Sequence, residues 1–448
     1  MKGKCPMKTI CVTYHTDATQ AMQNAIDTCF LAGGGVVEIP AGDHHIRSIR
    51  LRSNVTLHLL EDAHLIASRD PEDYMAFLGD TLEPIPEEYK TDAVWTPMQV
   101  RKNYDHMLPA ARWSNAVIRA LDAENIAIIG ETGAYIDGRD TYDEIGEELY
   151  RGPHAISMFF CKNVRLEGYR VQNSANWAHA IFQSQDITAR NLTVRAGHDG
   201  IHLTSCDHVT ITDCDFQTGD DCVAGVDNID VTVKNCKLNT ACSGFRFGGR
   251  NVHISECEFY GPGRYLFRGS LSVEEKRLGV ISPSGGHRNN MLSAFLYYAD
   301  FSRPIRGNAG NIVIENCTFR NVDRFLEYNF SGSNYWQRNK PLEDVTFRGI
   351  RAEGIKMPLV LYGDPKVKAS LLVEDTTIAF APDIPCALFH LCHFERVTLR
   401  RVEVKNVQSP VLIKRWSEGE IIAEDFTYPD YTGKFEELTT EPFTCEWI

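Results

Sequence analysis

The chain reads as an all-β protein built as a parallel β-helix, a single-stranded solenoid closed at its amino end by one helix. Three observations carry this. First, Val164, Ile187, Val209, Val231 and Val252 are spaced 23, 22, 22 and 21 residues apart, each inside an alternating run (VRLEG, ITARN, VTITD, VTVKN, VHISE). Alternation at period two marks a strand with one buried face. Second, five places after each anchor stand Tyr169, Leu192, Cys214, Cys236 and Cys257, and Ile312 gives Cys317 at the same offset. A constant column of like residues means strands stacked in register, about 4.8 Å apart. Propeller repeats run to about 40–45 residues, and a sandwich has no reason to keep a column. Third, the length of 448 residues would split an ordinary globule into domains, whereas a solenoid core grows lengthwise. Residues 1–448 are therefore read as one β-helix domain without a linker.

Taken in order, residues 16–30 form an amphipathic helix, with Ala18, Met22, Ala25, Ile26, Cys29 and Phe30 at helical spacing. Asp17 and Gln20 resemble a capping box, and Gly33-Gly34-Gly35 ends the helix. It serves as the cap that a solenoid needs over its open end. Strands VVEIP, IRSIRL and VTLHLL follow. Residues 75–115, rich in Pro and carrying Trp95 and Trp113, break the rhythm and read as an inserted loop near the groove. Coils are regular from His154 to Ile254. The 60 residues between Val252 and Ile312 suit two coils plus a remainder, with an inserted loop at 264–306 that holds Arg268, Tyr297 and Tyr298. Tyr328, Tyr335 and Trp336 fall in a turn-rich stretch, where exposed aromatics would stack on sugar rings or else cap the core. Strands continue through VTLRRVEVKNV, and the carboxyl end reads as an irregular cap.

The formal charge of −14 and the pI near 5.6 exclude nucleic acid and anionic membrane as natural partners. No apolar run approaches the roughly 18 residues of a membrane span. The amino end, MKGKCPMKTICVTYHTD, lacks the apolar core of a signal peptide. The 14 cysteines include no C-x-x-C pair, and four of them fill one strand column. Reduced thiols without a signal place the protein in the cytoplasm. Neither a cofactor nor a metal is expected, and the oligomeric state is not legible.

Function gathers between His198 and Gly249, where Gly-rich turns carry Asp199, the pair Asp220 and Asp221, and Ser243. Asp199 is Ile187 plus 12 and Asp221 is Val209 plus 12, so the two share one column on neighbouring coils. Gly219 allows a bulge that presents Asp220 beside them. Crowded carboxyls cannot all stay ionised cheaply. One protonated acid beside ionised bases is what glycoside hydrolysis uses. A calcium site, or solvated turn carboxylates without a role, would use the same residues.

Longer stretches carry a resemblance. DATQAMQNAIDTCFLAGGGVVEIPAG, SNVTLHLLEDAHLIASRDPEDY, IDGRD, PHAISMFFCKNVRLEGYRVQNSANWAHAIFQSQDITARNLTV and KPLEDVTFRGIRAEGIKMPLVLYG resemble glycoside hydrolase family 28, the polygalacturonase-like enzymes of pectin breakdown. The resemblance implies a right-handed parallel β-helix acting on an oligosaccharide. The family's Asn-Thr-Asp motif falls on Gly197, His198 and Asp199, and its Gly-Asp-Asp motif on Gly219, Asp220 and Asp221. By that resemblance Asp220 is the general acid, and Asp199 with Asp221 activates water, giving inversion. Two departures stand out. Gly-His-Gly falls on Cys242, Ser243 and Gly244, so its histidine is absent, and Arg-Ile-Lys has no clear match. Arg246 and Arg268 are the candidate replacement cations, because a guanidinium grips a carboxylate in two places; a salt bridge to a catalytic Asp is the other role for Arg246. Ser243, His198, Asn176 and Trp336 complete the candidate substrate contacts. The expected activity is inverting, exo-acting hydrolysis of pectin-derived oligosaccharides. The alternatives are a glycosidase for a neutral or modified sugar, and a non-catalytic carbohydrate-binding solenoid.

Overall fold

Alternating strands separated by sharp polar corners dictate a coil, and the coils stack strand on strand. The structure, a computed structural model, describes residues 8–13, 17–74, 108–109, 111–143, 151–265, 290–299, 305–330, 340–429 and 431–441. It divides into two compact units, Met1–Asp220 with Tyr265–Gly285, and Asp221–Arg264 with Gly286–Ile448. In both units the strands pair in parallel, the arrangement of the right-handed parallel β-helix.

In the first unit the anchors fall opposite one another. Ile126 pairs with Val164, Val164 with Ile187, and Ile187 with Val209. The residue before each anchor sits in the left-handed region: Asn125, Asn163, Asp186 and His208 have φ between 53° and 57°. Asn and Asp tolerate that conformation better than other residues with a Cβ. This is the physical reason for the polar residue that opens each strand. Stacked corners also bond to one another, Asn163 to Asn125 and Asn125 to Asn54, both at 2.8 Å.

The amino-terminal helix spans Thr19–Leu31 and buries Met22, Ala25, Ile26 and Cys29 against the first strands. It begins three residues later than expected, and the capping box does not form. Ala18 is the N-cap, Asp17 accepts from the Thr19 amide at 3.0 Å, and Gln20 reaches forward to Asn24. The helix stops at Gly33 and Gly34, with φ of 89° and 137°.

In the second unit Val231 pairs with Val252, and Val252 pairs directly with Ile312. The 60-residue gap is therefore one coil with a long insertion, not two coils. Chain spacing alone cannot tell an extra coil from a long corner. Part of the insertion returns as strand Met291–Tyr297, wholly buried. Tyr297 and Tyr328, both expected in loops, pack edge to face in the interior with centroids 5.1 Å apart. Cys236, Cys257 and Cys317 form the expected column. The Cys236 amide donates to the Cys257 sulfur and the Cys257 amide to the Cys317 sulfur, at 3.5 and 3.4 Å. The carboxyl end is more regular than expected: Glu420–Thr427 and Lys434–Leu438 are strands in register with earlier coils. Among the described residues no helix is long and apolar enough to cross a membrane.

Candidate active site

The turn at Asp199 is tied from below before its side chain does anything. Strand His179–Phe182 lies under strand Ile201–Thr204, with His179 opposite Ile201 and Ala180 opposite His202. The Ala178 amide donates to the Asp199 carbonyl at 2.9 Å. His179, fully buried, gives its Nδ1 proton to the Gly200 carbonyl at 2.9 Å, which leaves Nε2 to accept from the Tyr169 hydroxyl at 3.1 Å. Burial lowers the His179 pKa to about 4, so the ring is neutral and its tautomer is set by these two bonds.

Asp199 is 4 % exposed. His202 Nδ1 donates to its Oδ2 at 2.8 Å. The indole of Trp177 stacks on the His202 ring, and behind it lie Trp113, Phe159 and Phe182 in one buried cluster. Asp220 is half-buried, and its carbonyl accepts from the Thr218 hydroxyl at 2.8 Å. Carboxylate oxygens of Asp199 and Asp220 approach within 4.8 Å. Two carboxyls at that range share protons unequally; hard cations also favour such oxygens.

His198, the residue before Asp199, is buried. The Arg151 guanidinium donates to its Nδ1 at 3.0 Å, so that ring is neutral with its proton on Nε2. The same guanidinium lies 5.3 Å over the Trp113 ring. Gly152, at φ 119°, lets the chain reach this position, since a Cβ there would sit 2.3 Å from the Thr141 carbonyl oxygen. Asn176 is fully buried, its side-chain oxygen accepting from the Trp177 amide at 3.0 Å and its amide meeting the Gly152 carbonyl at 3.5 Å. Its side chain thus shapes the loop that carries Trp177.

In the second unit Asp221 is 2 % exposed. Its Oδ1 accepts from the Ser243 amide at 2.9 Å, and the Cys222 amide donates to the Ser243 carbonyl at 3.1 Å. Ser243 therefore meets Asp221 through its backbone. Arg246 lies over the ring of Tyr298, 4.1 Å from its centroid. Arg268 and Trp336 lie outside the described residues, as do residues 75–107 and 266–289 of the two expected inserted loops.

His202 and Arg151 escaped the sequence reading, and Trp113 was placed only in an inserted loop. His202 had a signal: it follows Asp199 by three places and alternates with the apolar Ile201 and Leu203, which puts it on the opposite face of the strand. Arg151 had none, because 47 residues separate it from His198.

Comparison with known proteins bears on the family and on the fold. Residues 102–247 match the family model described as Glycosyl hydrolases family 28. A probable polygalacturonase of Vitis vinifera is 26% identical over 223 residues, 47% of this chain and 41% of the relative. An exopolygalacturonase of Arabidopsis thaliana is 25% identical over 225 residues, 46% of each. The chain spans less than half the length of the curated relatives it matches. The fold is similar to that of a hyperthermoactive exopolygalacturonase from Thermotoga maritima, with TM-score 0.61, 18% identity, and 90% and 92% of the two chains covered. It is also similar to a Yersinia enterocolitica family 28 exopolygalacturonase, with TM-score 0.58, 16% identity, and 96% and 77% covered. PfbA, a surface adhesin of Streptococcus pneumoniae, shares the fold at TM-score 0.52 and 13% identity, covering 96% of this chain and 93% of its own. The chain therefore resembles family 28 in sequence over its middle third, and its fold is one that such enzymes share with an adhesin.

Proposed function

We propose that this protein is a glycoside hydrolase that cleaves α-linked galacturonate units from pectin-derived oligosaccharides. The observation that carries the reading is the pair Asp199 and Asp220, oxygens within 4.8 Å, with His202 donating to Asp199. Asp220, the more exposed of the two, gives a proton to the glycosidic oxygen as the C–O bond breaks. Asp199 takes a proton from the water whose oxygen bonds to the anomeric carbon. Asp221, joined to Asp220 by one peptide bond, is the third carboxylate of the reaction. Arg246, braced on Tyr298, is the cation for the carboxylate of a galacturonate. The family 28 match and the polygalacturonase names of the relatives support the substrate class; the exopolygalacturonases with the same fold support release of single residues from a chain end.

Inversion follows from the resemblance. The closest oxygens of the pair lie nearer than the roughly 6.5–9.5 Å usual for inverting carboxyls, so stereochemistry is a direct test. Oligogalacturonides are incubated with the protein and the first product is followed by proton NMR. Monomer appearing first as the β-anomer supports the reading. An α-anomer would replace inversion with double displacement. Absence of turnover on oligogalacturonides, rhamnogalacturonan fragments and nitrophenyl glycosides alike would replace the hydrolase with a binding solenoid.

A further inference from the structure

We infer that His202 is the positioning residue of this site, orienting Asp199 and favouring its ionised form. The inference deepens the hydrolase reading and rests on it.

Three constraints converge on one ring. Its Nδ1 donates to Asp199 Oδ2 at 2.8 Å. Trp177 covers one ring face at van der Waals distance, with the planes 3° apart. The strand beneath is locked in register by Ala180 opposite His202, and the adjoining turn by the bond from His179 to Gly200. His202 is 6 % exposed, so the bond to Asp199 works where water does not compete for it.

A donor aimed at a carboxylate favours its ionised form. Carboxylate oxygens of Asp199 and Asp220 lie within 4.8 Å, so ionising one raises the cost of ionising the other and favours a proton held between them. The donor on Asp199 biases that proton to Asp220. Asp199 stays a base and Asp220 stays an acid, so the two identical side chains acquire different work from one neighbour. In the reaction His202 neither gains nor loses a proton. Asp220 protonates the leaving oxygen, Asp199 accepts the water proton, and the pair resets by exchange with solvent.

The test compares kcat and KM on oligogalacturonides for the wild type, His202→Asn, His202→Gln and His202→Phe. Asn places an N–H where Nδ1 stands, Gln places it one atom further out, and Phe keeps the stack on Trp177 without a donor. The expected result is kcat within about tenfold of wild type for Asn, and a fall of roughly 100-fold for Gln and Phe, with KM changed less than about threefold. Combining His202→Phe with Asp199→Asn should cost no more than Asp199→Asn alone. Full kcat in His202→Phe overturns the inference and makes the ring a packing element. Equal losses in Asn and Phe overturn it too. Should Phe fail to fold, as read from its urea midpoint, the Asn and Gln pair decides. A wild type that turns over nothing overturns the hydrolase reading and this inference with it, whereas an active wild type indifferent to the substitutions overturns this inference alone.

Discussion

The indole of Trp177 lies flat on the imidazole of His202, ring centroids 3.7 Å apart. Trp177 also meets Trp113 edge to face, 5.9 Å away, so one large side chain joins the buried cluster to the acidic turn. Removing it should disturb both. Trp177→Ala is expected to cost about 3–5 kcal/mol of stability, read as a lower urea midpoint. Trp177→Phe, which keeps an aromatic face, should cost less and retain most of kcat. A Trp177→Ala variant as stable as the wild type would mean that the cluster does not rely on this ring.

The carboxylate assignments predict different consequences for a hydrolase and for a cation site. Asp220→Asn and Asp199→Asn should each lower kcat by roughly 10²–10⁴-fold while oligogalacturonide binding, measured by calorimetry, persists. Chelation with EDTA should leave the wild type unchanged. Activity abolished by EDTA and restored by calcium would assign the same carboxylates to a metal.

Much of this was legible in the sequence because a solenoid repeats its constraints. The anchors Val164, Ile187 and Val209 are true register partners, and the buried column of Cys236, Cys257 and Cys317 is where the five-residue offset puts it. Repetition fails where the chain inserts. Val252 pairs with Ile312 across 60 residues, and a gap close to a multiple of the coil length hides an insertion. Within the site, Asp199 and Asp221 were visible because they occupy one repeat position, and Asp220 because it adjoins Asp221 after Gly219. Arg151 meets His198 through a tertiary contact across 47 residues of chain, which no local pattern announces. Asn176 was expected among the substrate contacts; it is buried, and its side chain bonds the Trp177 amide and the Gly152 carbonyl, contacts that alternation and spacing do not announce.

The polar corners give a stability prediction. Asn163 holds φ 53° and bonds Asn125, which bonds Asn54. Asn163→Gly loses the bond but keeps the backbone relaxed, a cost of about 1 kcal/mol. Asn163→Ala loses the same bond and keeps a Cβ in the left-handed region without the side-chain amide that makes Asn tolerable there, about 1–2 kcal/mol worse than Gly. Urea midpoints should fall in the order wild type, Gly, Ala. An Ala variant equal to Gly would remove backbone strain from the account of these corners.

Acid should weaken the fold through buried histidines. His154 is fully buried between Trp113 and Trp177, and burial lowers its pKa to about 3; His179 is lowered to about 4 for the same reason. An unfolded His titrates near 6.5. Below that value the unfolded chain binds protons that the folded one refuses, so stability rises with pH throughout the window. Above about 6.5 neither state is protonated and the effect vanishes. As pH falls from there towards 4, each of the two rings costs up to about 1.4 kcal/mol per pH unit. Unfolding free energies measured in urea at pH 7, 6, 5 and 4.5 should therefore decline with increasing slope. Replacing the ring with a neutral side chain of similar size, His154→Met, should remove up to about 1.4 kcal/mol per pH unit of that slope. Its stability at pH 7 reports the separate cost of repacking between the two tryptophans. A His154→Met variant with the full wild-type slope would show that His154 accepts a proton in the folded state, through an opening that admits water to the core beside Trp177.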